Sequence, residues 1–289
     1  MKNLMIPALA LFLSAAAQAD DSPLWMRYCA ISPDGQTIAF SYQGDIYTVP
    51  SSGGKARQLT THPAHDTRPV WSPDGQKIAF ASNRSGNFDV FLINKEGGEP
   101  KRLTTHSTNE YPTTFKDNGH ILYLANILQD AKDIQFPGTR FMQVYEISTD
   151  GGRPDLYSSL YMENIALSKD GSKLLYNDYK GYEDPWRKHH QSSITRDIWL
   201  CTLGKDRSFQ KVTTFGGEDR NPVWAADGAS FYYLSEEKGS FNIFKKDLAG
   251  NSEKQITTHT THPVRFLTSD NSGTLCYSCL LYTSPSPRD

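Results

Sequence analysis

Two histidine pairs, His62-Pro-Ala-His65 and His259-Thr-Thr-His262, have a spacing that would bring two imidazoles onto one cation. Zinc normally takes three or four ligands, and neither pair comes with an evident carboxylate partner for its imidazoles. The first histidine of each pair also closes a Thr-Thr-His phrase found elsewhere in the chain, so a structural origin is expected, with no metal and no other cofactor. Covalent chemistry has no better footing. Through Ser278 there is no Gly-x-Ser-x-Gly elbow, no His-Glu-x-x-His, no Cys-x-x-Cys and no phosphate-cradling glycine loop. These 278 residues are expected to hold no catalytic site.

Binding chemistry is better represented. Counting five residues back from Trp71, Phe115 and Trp224 lands on Asp66, Glu110 and Asp219, with Glu163 one step off the same rule and Arg68 and Arg220 close by. Carboxylates recurring at one place in a repeat would gather into a charged rim wherever the repeats converge, a field able to orient a peptide by its amino end. Asx capping of a turn is the plainer reading of the same pattern. A second candidate is the long insertion 180–196, which carries Trp186, Arg187, Lys188, His189 and His190. Those types favour recognition surfaces, and long loops on rigid scaffolds often bind, although a packing flap would also use them.

The elements that must position these residues follow from a repeat. Pro69-Val-Trp-Ser-Pro-Asp-Gly75 followed by Lys77-Ile-Ala-Phe80 has counterparts in Ile31-Ser-Pro-Asp-Gly35 with Thr37-Ile-Ala-Phe40, and in Pro222-Val-Trp-Ala-Ala-Asp-Gly228 with Ser230-Phe-Tyr-Tyr233. Weaker copies place turn glycines at 119, 171 and 273. Asp-Gly between alternating runs predicts a hairpin, read here as a type I′ turn. A polar, β-branched, aromatic triplet opens a third strand in five units (Asp45-Ile-Tyr47, Asp89-Val-Phe91, Gln143-Val-Tyr145, Asp197-Ile-Trp199, Asn242-Ile-Phe244), and a fourth strand ends in phrases such as Leu103-Thr-Thr-His106.

One four-stranded sheet cannot bury both faces until neighbours stack on it, so a repeat of about 40 residues or more predicts an all-β β-propeller. The count gives five complete four-stranded blades and half of a sixth: Leu24 to Thr61, His62 to Thr105, His106 to Leu160, Tyr161 to Thr214, Phe215 to Thr258, and a unit that breaks off near Ser278. Composition agrees. The chain has 289 residues, 5 Trp, 15 Tyr and 14 Phe to fill a core, and a net charge of -2 that argues against a nucleic-acid partner.

Residues 1–19 read as a secretory signal peptide: Lys2 near the start, an apolar run from Leu4 to Ala17, and Ala17-Gln18-Ala19 as the cleavage site. A periplasmic or secreted bacterial protein without a membrane span after cleavage is expected. Residues 279–289 match one reading frame of a sequencing-library adapter and are expected to be an artefact, leaving 20–278 as an incomplete propeller. Cys29, Cys201 and Cys276 then remain, an odd and scattered set expected to be free or weakly specified thiols.

The units resemble the WD40-like repeats of TolB-like and tricorn-type propellers. Pro23-Leu-Trp-Met-Arg-Tyr28, Gly44-Asp-Ile-Tyr-Thr-Val-Pro50 and Glu183-Asp-Pro-Trp-Arg-Lys-His-His190 further resemble exported bacterial tricorn protease homologues. That resemblance implies a leading propeller followed, in the parent protein, by a second propeller-like region, a PDZ domain and a tail-specific serine peptidase domain. It implies a peptide or protein substrate, with the propeller as gate, filter or docking platform. The catalytic serine, histidine and glutamate would lie outside these residues. Two alternatives stay open: a non-enzymatic TolB-like scaffold, disfavoured because no room precedes the first blade for its α/β domain, and the propeller of a prolyl-oligopeptidase-type hydrolase.

Overall fold

The Ser-Pro-Asp-Gly turns build the first hairpin of a sheet by a route the sequence rule misses. In the computed structural model, which describes residues 26–127, 142–181, 191–250 and 252–279, Gly35 N donates to Ser32 O at 2.9 Å and Gly75 N to Ser72 O at 2.8 Å. Positive φ falls on Gly35 (73°) and Gly75 (66°), not on the preceding aspartates. These are therefore not type I′ turns. Proline at the first central position fixes a negative φ, which selects a type I turn and leaves the glycine to absorb the left-handed step. Asp34 and Asp74 instead accept hydrogen bonds from Ser32 and Ser72 Oγ (2.5 and 2.6 Å) and from the N–H groups of Gln36 and Gln76 (both 3.0 Å).

Five antiparallel sheets each hold four strands. They are β1 (Arg27–Ile31), β2 (Thr37–Tyr42), β3 (Asp45–Pro50) and β4 (Arg57–Gln58); β5 (Asp66–Trp71), β6 (Lys77–Ser82), β7 (Asp89–Asn94) and β8 (Lys101–Arg102); β9 (Glu110–Asp117), β10 (His120–Ala125), β11 (Gln143–Ser148) and β12 (Asp155–Ser158); β13 (Met162–Leu167), β14 (Lys173–Asp178), β15 (Ile198–Thr202) and β16 (Ser208–Lys211); and β17 (Asp219–Trp224), β18 (Ser230–Ser235), β19 (Asn242–Asp247) and β20 (Glu253–Gln255). A two-stranded sheet follows, β21 (Val264–Ser269) with β22 (Leu275–Cys279). The first strands touch in a closed circle, β1 to β5, β9, β13, β17, β21 and back to β1. This is the β-propeller expected, with five blades and part of a sixth. Among the described residues no helix is long and apolar enough to cross a membrane.

Burial explains the repeat. Each apolar cluster straddles two neighbouring blades: Ala39, Ile46 and Leu59 pack with Trp71, Ile78 and Phe91, and Val90 and Leu92 pack with Phe115, Ile121 and Tyr123. The repeated tryptophan adds a directional tie between blades, since Trp71 Nε1 donates to Ala30 O at 2.9 Å and Trp224 Nε1 to Ala166 O at 2.8 Å. The Thr-Thr phrase has an equally local cause. The hydroxyls of Thr60, Thr104, Thr213 and Thr257 accept the N–H of Ile46, Val90, Ile198 and Ile243, the middle residues of the strand-three triplets, at 2.9 to 3.0 Å. A short outer strand is thereby pinned where its ladder has run out.

Candidate functional site

A bulge in the innermost strand shapes the channel wall. Tyr28, Arg68, Asn164, Asn221 and Phe266 adopt positive φ of 50–56°, at the place in each first strand where its register with the second strand shifts. Left-handed backbone at non-glycine residues costs about 1 kcal/mol or more apiece and persists only where surroundings enforce it. In β9 the corresponding residue is Pro112, whose φ is locked negative, and the shift falls one residue later. The bulged side chains reach along the ring. Tyr28 packs on Phe266 with centroids 4.5 Å apart, Arg68 lies over Tyr28 at 5.4 Å and Tyr111 at 4.3 Å, and Asn221 Nδ2 donates to Leu267 O at 2.8 Å.

Around Arg68 these contacts floor a cleft of about 460 Å³ at the mouth where the first strands begin. Arg27, Tyr28, Tyr42, His65, Thr67, Arg68, Phe88 and Tyr111 line it, contributed by the first three blades. The half-buried guanidinium of Arg68 is sandwiched between tyrosine rings. Burial pushes the Tyr111 hydroxyl above its ordinary range, the Arg68 charge pulling against it. Four aromatic rings beside a cation suit an extended peptide, with ring contacts for side chains and a forked donor for a carboxylate.

The carboxylates that mark the same strand starts are sequestered. Asp66, Glu110 and Asp219 are 0%, 1% and 1% exposed. Asp66 pairs with Arg84 at 2.8 Å, and that guanidinium lies over Phe91. Glu110 is pushed up to about 7 by burial, against a hydrogen bond from Thr104, with Asp89 beside it. Burial likewise raises Asp219 to about 7, its closest polar company being the hydroxyls of Ser235 and Thr213. Glu163 and Arg220 meet elsewhere on the ring, joined by Arg196 and Glu218. Arg196 donates to Glu163 Oε2 at 2.8 Å and to Glu218 Oε1 at 2.9 Å, while Arg220 stands 3.5 Å from Glu218. Burial lowers Arg220 to about 10. Trp186, Arg187, Lys188, His189 and His190 lie outside the described residues. Among the described residues no group of three or more His, Cys, Asp or Glu could hold a metal.

A raised carboxylate means that folding takes up a proton which the unfolded chain releases. Between the ordinary carboxylate range and about pH 7 the unfolded state binds fewer protons, so the Asp219 contribution to stability falls as pH rises through that window and is constant above it. Asp219→Asn is therefore expected to stabilise the chain at pH 8 by about 2–4 kcal/mol, an order-of-magnitude figure, and to change nothing near pH 4. Paired thermal melts at both pH values check this; an equal shift at the two would disprove the titration.

A ring of radial four-stranded sheets, with a cleft at the mouth of its channel, defines a β-propeller. Residues 23–282 match the tricorn protease N-terminal β-propeller domain, and the chain belongs to that family. A tricorn protease homologue of Saccharolobus solfataricus is 23% identical over 253 residues, covering 85% of this chain and 22% of its own. Dipeptidyl-peptidase 5 of Porphyromonas gingivalis is 26% identical, covering 78% and 40%. Among solved structures, the tricorn protease superposes with a TM-score of 0.70 at 21% identity over 89% of this chain and 24% of its own, and TolB of Acinetobacter baumannii with 0.59 at 16% over 82% and 55%. The chain thus spans about a quarter or less of the tricorn relatives.

Arg68 stood in the sequence pattern only as a companion of the acids. Tyr28 and Tyr111 had no place in it, their one signal being an aromatic residue beside the strand-one acid or at the bulge. Arg196 closes the 180–196 insertion and Glu218 stands outside the repeated phrases, and nothing in the sequence paired the two.

Proposed function

We propose that this chain is the leading propeller of an exported, tricorn-like serine peptidase and that it docks and admits peptide substrate at the Arg68 cleft. Membership of the tricorn N-terminal propeller family carries the reading. Supporting it, the cleft opens at the channel mouth and presents aromatic rings and a guanidinium. Reaction chemistry belongs to downstream PDZ and peptidase domains of the same parent, and the leader at 1–19 delivers the protein to the periplasm.

The test is the full-length product of the gene, read past codon 278 and recovered from the periplasmic fraction with Asp20 as its first residue. Arg68→Ala is expected to raise KM for peptide hydrolysis about tenfold with kcat unchanged, because it removes a charge-assisted contact made equally in ground and transition states. Arg68→Lys is expected to fall between, keeping charge but losing the stacked fork. A stop codon soon after the sixth blade, or an unaltered KM, would overturn the proposal.

A further inference from the structure

Ring closure brings together two cysteines that lie at opposite ends of the described chain. Cys29, in β1, is buried and donates through Sγ to Phe266 O of β21 at 3.0 Å. Thr268 Oγ1 ties the same two strands, accepting from Ile31 N at 3.2 Å and reaching Cys29 O at 3.4 Å. Across the β21–β22 hairpin the partner of Thr268 is Cys276. Thr268 thus stands between Cys29, whose carbonyl its hydroxyl meets, and Cys276, its cross-strand partner, and each thiol perturbs the other's protonation. β1 and β22 lie against each other where the ring closes, and a bridge between them requires the two Cα atoms to come within about 7 Å.

We propose that Cys29 and Cys276 form a disulfide that clasps the first blade to the sixth. Other pairings fail on geometry. Cys276 and Cys279 sit three apart in one extended strand, so their side chains leave opposite faces and cannot join without breaking β22. Cys201 is buried among Leu174, Met162 and Leu124, between the third and fourth blades.

The two thiols are also suited to different steps of exchange. The neighbouring Cys29 thiol holds Cys276 below the ordinary thiol range, and Cys276 is only partly buried, so it is the attacking thiolate. The facing Cys276 and its own burial hold Cys29 well above that range, so it acts second. With oxidised glutathione, Cys276 sulfur bonds to one glutathione sulfur and expels the other as a thiolate. Cys29 then loses its proton to solvent, attacks the Cys276 sulfur of the mixed disulfide and releases the second glutathione. Two protein thiols are oxidised, and one glutathione disulfide is reduced to two thiols.

The inference holds whatever domains follow the propeller, and its test reads no peptidase activity. The chain as it stands is equilibrated with oxidised glutathione, alkylated and digested with trypsin without reduction. The expected product is peptide 28–55 linked to peptide 266–288, lost on reduction, retained in Cys279→Ser and absent in Cys276→Ser. Wild type is expected to melt several degrees lower after dithiothreitol, with Cys29→Ala showing no response to reductant. Full alkylation of all cysteines after oxidation, linkage surviving in Cys276→Ser, or a bridge confined to 276 and 279 would each overturn the assignment.

Discussion

Replacing Arg196 with alanine is expected to lower stability by about 3–5 kcal/mol, the cost of removing one partner from a buried ion pair. Arg196 is 7% exposed and lies between Glu163 and Glu218, with its guanidinium 5.5 Å from the Tyr179 ring. Without it Glu163 loses its closest cation and retains the neutral donors Tyr161 OH at 2.9 Å and Asn177 Nδ2 at 3.1 Å, and Glu218 keeps the longer contact to Arg220. For a chain of this size the melting temperature should drop by roughly 10 °C. Adding Glu218→Gln to Arg196→Ala should recover part of the loss, since it removes one stranded charge. A double mutant no more stable than the single would show that Arg196 acts by packing alone.

Trp71→Ala is expected to be comparably severe, about 3–5 kcal/mol for a large aromatic deleted from a packed interface. The ring is 8% exposed and fills the junction of the first two blades with Ile78, Phe91 and Leu59. Trp71→Phe separates the two contributions. It keeps most of the buried area and loses the bond to Ala30 O, a loss of about 1–2 kcal/mol. Trp224→Ala should cost less than Trp71→Ala, because Trp224 makes the same bond from a half-buried position. Thermal or urea unfolding of the three variants orders them; an equal cost for Trp71→Phe and Trp71→Ala would refute the packing account.

The blade architecture was legible because each repeated phrase has a local structural cause. Proline, aspartate and glycine make the turn within a few residues of one another, and the triplet and the Thr-Thr phrase are pinned across a single strand pair. Even so, proline overrode the Asp-Gly rule for the turn type. The candidate site was legible only in part. Arg68 was found through its repeat position, but the acids beside it carry no mark of depth: Asp66, Glu110 and Asp219 are buried where their strand starts are tied to the preceding blade.

By itself the sequence determined the strands, their hairpins and the number of blades, since period and turn chemistry act over a few residues, while the family showed in it as a resemblance of whole phrases. Only the tertiary structure decided which faces meet. Left-handed bulges turn Tyr28 and Arg68 along the ring, the ion network forms across blades, and Cys29 comes against Cys276 from the far end of the chain. The first two arise because neighbouring sheets stack around a circle and the last because that circle brings its first strand back against its final hairpin, and linear spacing holds no record of either.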